Sequence, residues 1–157
     1  MATSKMNAAD AVFGGLGECY ITISGNRYNM MQLTKFESSV EVKLADVKVL
    51  GNVMSGKKPA GTTGKWSATA HFNQSVIRKW LLDYKKTGKL APMTIQVINN
   101  DPSSAAGTQK IVLYGCYPDK SILAKLEAGD NILEEDISGT FNDWDMPTQF
   151  KALKGMK

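Results

Sequence analysis

TKFESSVEVKLADVKVL, residues 34–50, alternates apolar and polar side chains almost throughout. Phe36, Val40, Val42 and Leu44 fall on one side of an extended chain, and Glu37, Ser39, Glu41 and Lys43 fall on the other. That period of two is the mark of a strand. Near Asp46 the phase slips, because Val47 and Val49 now carry the apolar side, and a bulge or bend is predicted there. A second run, KWSATAHF at 65–72, answers the first across a Gly-rich segment, so the two form a long hairpin. About 16 residues at roughly 3.3 Å each reach ~50 Å, whereas a compact domain of this length is ~40 Å across. The hairpin should overhang its own core. A two-stranded ribbon is marginal alone in water and offers unpaired edges to other chains, which points to an assembly subunit.

Working outward, the connection from Gly51 to Gly64 holds Gly51, Gly56, Gly61, Gly64 and Pro59, and reads as a mobile exposed loop. Residues 1–17 are rich in Ala, Gly and Ser and read as an extended arm. Cys19 to Ile23 and Tyr28 to Leu33 flank a polar turn and form a short hairpin. Asn73 or Ser75 can cap a helix from Val76 to about Thr87 that stops at Gly88, with Val76, Ile77, Trp80, Leu81 and Tyr84 on its inner face. Met93 to Asn99 and Lys110 to Tyr117 are predicted to pair across a polar loop, and Pro118 ends that ladder. Ser121 to Ala128 alternates, turns at Gly129, and is expected to pair with a long last strand, Ile132 to Asp145, as a second extended hairpin. In that strand Leu133, Ile137 and Phe141 oppose Glu134, Asp136, Ser138, Thr140 and Asn142. Residues 18–147 make the main domain, and 148–157 a short basic tail.

Composition narrows the function. At 157 residues the chain is one domain, and no apolar run approaches the ~18 residues of a membrane span, so no membrane anchor is expected. MATSKMNAAD lacks the apolar stretch of a secretory signal, which suggests synthesis and assembly in the cytoplasm. Cys19 and Cys116 should then be reduced and buried. The net charge of +4 is unevenly spread. Lys57 to Lys89 holds eight Lys or Arg against Asp83, and Glu127 to Asp145 holds seven acids and no base. Such segments can pair within the fold or meet head to tail between identical subunits.

Motifs for catalysis fail on inspection. Gly51-Asn52-Val53-Met54-Ser55-Gly56-Lys57-Lys58 matches the GxxxxGK of a phosphate loop, yet Lys58 stands where a hydroxyl must hold Mg²⁺, and Pro59 and a strand follow where a helix is needed. His71 is the only histidine, with no cysteine cluster to make it a zinc ligand. Of Glu134, Glu135 and Asp136, only the first and last share a strand face, and nothing apolar there would raise a carboxyl pKa. No catalytic, cofactor or metal site is expected. The basic 57–89 segment admits a nucleic-acid-binding β-barrel adaptor as an alternative, although the helical period turns Trp80 and Tyr84 inward.

The order of these parts resembles the tail-tube proteins of contractile phages, PBSX-type prophages and phage-tail-like bacteriocins. The resemblance covers roughly residues 18–147. It rests on TKFESSVEVKLADVKVLGNVMSGKKPAGTTGKWSATAHF, on the helix VIRKWLLDYKKTGK, and on KIVLYGCYPDKSILAKLEAGDNILEEDISGTFNDWDMP. It implies a mainly β (α+β) fold: a β-sandwich or barrel with one flanking helix and two long hairpins that join an intersubunit β-barrel ring. Six copies would form the ring, and stacked rings a hollow tube within a sheath, with sheath, baseplate and tail-terminator proteins as partners. By analogy Glu37, Ser39, Glu41, Lys43, Glu134, Asp136, Ser138, Thr140 and Asn142 would line the lumen. Its acidic members would repel DNA phosphates, so that any DNA conducted passes without specific binding. Met54, Ser55, Gly56, Lys57, Lys58 and Pro59, with the amino-terminal arm, would reach an adjoining subunit or ring. A secretion-system tube protein is a related reading.

Overall fold

The computed structural model describes residues 4–157. Eight strands and one α-helix follow in the order β1 (Glu18–Ile23), β2 (Asn26–Asn29), β3 (Leu33–Val47), β4 (Gly56–His71), α1 (Val76–Thr87), β5 (Met93–Asn100), β6 (Thr108–Lys120), β7 (Glu134–Phe141) and β8 (Asp143–Thr148). All pairings are antiparallel, in the path β2-β1-β5-β6-β7-β4-β3, with β8 also beside β6. The first half of β6 lies between β5 and β8, and its last residues pair with β7. One strand thus serves two sheets.

The corner has a local cause. Gly115 sits in β6 at a φ of 62°, open to glycine at no steric cost, and Asn142 breaks the opposite chain where its N–H donates to the Tyr114 carbonyl at 3.0 Å. The strand expected over 132–145 is therefore two, β7 in one sheet and β8 in the other. Pro118 does not end β6, which continues to Lys120 by exchanging one partner for another.

Ile21 and Ile23 of β1, Met93 and Ile95 of β5, and Leu113 and Cys116 of β6 meet Trp66 and Ala68 of β4 and Ile137 and Phe141 of β7 in one core. Helix α1 closes it with Ile77 and Trp80, and Gly88 ends the helix in the left-handed conformation. Tyr84, expected inward, is about half exposed. Ser24 and Gly25, at φ 51° and 81°, form the two-residue turn between β1 and β2 that matches strand twist.

Three further expectations are corrected. The loop placed at 51–64 is shorter, because Gly56, Lys57, Lys58 and Pro59 already belong to β4, opposite Val47, Asp46, Ala45 and Leu44. Beyond Gly64 this half of β4 has no partner on its β7 side, and such an edge tolerates the missing N–H of Pro59. The bulge lies nearer Lys43 than Asp46. Val42 to Leu44 spans the same rise as Thr62 to Pro59, so the extra residue is in β4, where Gly61 has a φ of 114°. Residues 121–133 form no ladder, so a second long hairpin is absent among the described residues.

The arm is not continuously extended. Two short 3-10 turns, Ala8–Asp10 and Gly14–Leu16, lie along it. The Phe13 N–H donates to Asp101 Oδ2 at 2.9 Å, and Ser104 Oγ donates to the Asp10 carbonyl at 2.8 Å, which ties the arm to the β5–β6 loop. The tail returns to the same loop, where the Lys151 N–H donates to the Ala106 carbonyl at 2.8 Å.

Candidate assembly surface

Residues directly opposite in a ladder point to the same side. Lys35, Thr69 and Asp136 make one such row across β3, β4 and β7; Glu37, Ser67 and Ser138 make the next; Ser39, Lys65 and Thr140 the third. Glu41 faces Thr63, and His71 faces Glu134. The two polar sets separated by about a hundred residues in sequence are thus one surface. Thr69 Oγ1 donates to Asp136 Oδ1 at 2.9 Å, and Ser138 Oγ to Asp119 Oδ1 at 2.6 Å, so the rows are also bonded laterally. The opposite side carries Phe36, Trp66, Ala68, Ile137 and Phe141 into the core.

β4 supplies Thr63, Lys65, Ser67 and Thr69 to this surface, and none of them was singled out from sequence. The alternation was present, Gly64, Trp66, Ala68 and Ala70 against those four, but glycine and proline upstream obscured where the strand began. The addition changes the electrostatics. Lys35, Lys43, Lys65 and Lys120 nearly balance Glu37, Glu41, Asp119, Glu134 and Asp136, so the face is mixed in sign and not acidic as expected.

Two glycines fix the sheet under it. Gly139 lies opposite Trp66 and Gly64 opposite Phe141. A Cβ on Gly139 would strike the Tyr117 carbonyl and the Trp66 ring, and one on Gly64 the Phe141 ring. Each aromatic ring covers bare backbone. Trp66 also stacks on Phe36 at 6.4 Å and donates from Nε1 to the Thr140 carbonyl at 3.2 Å.

The opposite charges found in sequence pair partly inside the fold. Arg78 of α1 donates to Glu135 Oε2 at 2.5 Å and to the Gln74 carbonyl, and its guanidinium lies 4.3 Å from the Phe72 ring centre. Glu135, on the core side of β7, is 5% exposed, so this ion pair clamps the helix onto the sheet. Arg78 is so engaged, Lys57 is bridged to Asp46 at 3.1 Å, and Trp66 and Trp80 are buried, which leaves Tyr84 as the exposed aromatic side chain among the lysines of the 57–89 segment.

Beyond Val40 the hairpin stands clear of the core. Val42, Leu44, Val49, Leu50, Val53 and Met54 are exposed, and no strand among the described residues lies beside the outer edge of β3. Met54 and Ser55 lie in the turn, where the Met54 N–H donates to Asn52 Oδ1 at 3.3 Å. Gly51 to Lys58 therefore makes a β-turn and strand, with no helix terminus to meet a phosphate. Burial pushes the Cys19 and Cys116 thiols up to about 12, which leaves both unreactive. No cluster of metal-ligating side chains occurs among the described residues, and no helix there is long and apolar enough to cross a membrane.

The surface thus combines an overhanging hairpin, a free β3 edge and a polar face backed by the core. The phage tail tube protein family model matches residues 4–148. The chain belongs to the phage tail tube protein family. The phage-like element PBSX protein XkdM of Bacillus subtilis (strain 168) is 33% identical over 118 residues, 75% of this chain and 80% of that protein. Among solved structures, the baseplate of the anti-feeding prophage, 6-fold symmetrised, holds a chain with a TM-score of 0.61 at 12% identity, covering 83% of this chain and 91% of that one. The sheath-tube complex of an extracellular contractile injection system in its extended state holds another, with a TM-score of 0.61 at 8% identity, covering 82% and 86%. This tail tube protein is a structural subunit and not an enzyme.

Proposed function

We propose that this tail tube protein forms six-membered rings by strand pairing between copies, and that the rings stack into the hollow inner tube of a contractile tail. The observation that carries the reading is the free β3 edge. β6, β7, β4 and β3 alternate in sense across the sheet, an even number of strands. Rotation about a tube axis preserves strand sense, so the β3 edge of one copy meets the β6 side of the next in antiparallel order all the way round. Closure removes the free edges of that four-strand set. A relative structure's six-fold symmetry supports the number six.

In such a ring the rows Lys35–Thr69–Asp136, Glu37–Ser67–Ser138 and Ser39–Lys65–Thr140 line the lumen, with Glu41, Lys43 and Glu134 at their ends. The mixed charge of that wall gives DNA phosphates neither a basic track nor a strong repulsion, so DNA, where it is conducted, slides without specific contacts. Sheath, baseplate and terminator proteins are the partners of the assembled tube, which would be built in the bacterial cytoplasm and carried in the tail of a phage or bacteriocin particle.

Sedimentation and negative-stain microscopy of the purified chain test the reading. Rings or tubes of one uniform diameter are expected; a chain that remains monomeric at high concentration refutes it.

A further inference from the structure

The polar sheet has two sides. One carries the charged rows, and the other faces the core, where Arg78 of α1 reaches Glu135 of β7. Helix α1 therefore stands across the core from the polar rows, and in a tube whose lumen those rows line it belongs to the outer wall. Ile77 and Trp80 turn inward. At about 3.6 residues per turn, the opposite stripe of the helix is Lys79, Leu82 and Lys86, all exposed. Leu82 is 46% exposed, an apolar side chain set among lysines.

Beside that stripe a groove of about 500 Å³ runs between α1 and the β1–β2 turn. Its lining includes the buried Ile23 and Trp80 and the half-buried Tyr28 and Val76, with the exposed Lys79 and Lys89 among its polar members. The Trp80 Nε1–H is buried and has no acceptor among the described residues. Across residues 79–89 the exposed charges are Lys79, Lys85, Lys86 and Lys89 against Asp83. No residue lining the groove belongs to β3, β4, β6 or β7, the strands that ring closure uses.

We propose that this face docks an acidic segment of the sheath protein, whose apolar side chains enter the groove and whose carboxylates meet the lysines of α1. Of the partners proposed above, the sheath is the one that surrounds the tube along its length, so it meets the outer wall. The sign of the face sets the sign of its partner. Exposed lysine–carboxylate pairs are weak singly and screened by salt, but a contact repeated on every copy along a tube gains by multivalency. This inference rests on the tube reading above.

The test uses tubes of the full chain mixed with the sheath protein of the same particle and sedimented. Lys79→Glu with Lys86→Glu and Lys89→Glu should leave the helix signal and the tubes as in wild type and lower the sheath carried down by at least about tenfold. The matching triple change to Arg should keep the sheath. In wild type, a zero-length carbodiimide should join Lys79, Lys86 or Lys89 to sheath carboxylates, as read by mass spectrometry. If the wild-type chain makes no tube, the tube reading itself falls. If tubes form and carry no sheath, if the Glu variant still carries it, if the Arg variant loses it, or if the links fall only on lysines outside α1 and Lys89, the tube reading stands and this contact is wrong. It is equally wrong if the Glu variant loses binding to duplex DNA while keeping the sheath, which would make the face a polyanion site.

Discussion

The inner half of the β3–β4 hairpin and the half that carries the turn share the same alternation of side chains, but they have different surroundings. Near Phe36 and Trp66 the ladder has β7 on its flank, the core beneath it and an aromatic stack within it. Past Val40 it has none of these, and the apolar side chains that continue the pattern stand in water. Alternation therefore records a buried face without recording whose core buries it. In the inner half that core is intramolecular; in the outer half the proposed ring would supply it from other copies.

Substitutions in the two halves should separate folding from assembly. Trp66→Ala should destabilise the isolated chain most, by about 3–5 kcal/mol, because it removes a buried ring and leaves Gly139 backbone uncovered. Urea unfolding of a non-assembled preparation reads the loss. Arg78→Met should cost about 3 kcal/mol, since it strands the Glu135 carboxylate in the interior. The double variant Arg78→Met, Glu135→Leu should recover much of that, and a double variant as unstable as the single would show that the pair contributes more than mutual neutralisation. Leu44→Lys, in the outer half, should change monomer stability by no more than about 0.5 kcal/mol and abolish rings or tubes. Were it to unfold the monomer instead, the division between the halves would be lost.

Much of this contrast was legible in the residues. Val76 to Thr87 with Gly88 was readable because period and stop signal agreed, and the inward set of β7 was readable from Ile137 and Phe141. Sequence reasoning failed where a signal was local and the outcome was not. Pro118 reads as a ladder's end, yet β6 passes through it by changing sheets, which depends on Gly115 and Asn142 lying face to face across the corner. Ser121 to Ala128 alternates like a strand but finds no partner strand among the described residues. Gly56 to Gly64 looks like a loop by composition, and becomes a strand because β3 offers it a long ladder. The polar face of the sheet was half seen. Glu37 and Asp136 announced themselves by charge, whereas Thr63, Ser67 and Thr69 are ordinary residues that acquire a place only through register.

The smallest expected effect concerns a third region, the arm, one of whose ties is to a single buried carboxylate. Asp101 is 4% exposed and accepts bonds from the Ser103 hydroxyl, the Phe13 N–H and the Ser103 N–H. The Ser103 hydroxyl first, and then the two backbone donors, hold its pKa below the usual aspartate value of 3.8. A carboxyl depressed in the folded state contributes stability above its unfolded pKa and loses it as pH falls through the folded one. The arm should therefore stay docked at neutral pH and loosen only in acid below about pH 4, while the core and the hairpin remain folded. Hydrogen exchange at the Phe13 amide, corrected for intrinsic rates, should accelerate severalfold across that window. Asp101→Asn should flatten the profile, since a neutral amide has no charge to lose. An unchanged pH profile in Asp101→Asn would mean that the Asp10 contacts to Ser104 and Ala105, and not the carboxylate, hold the arm.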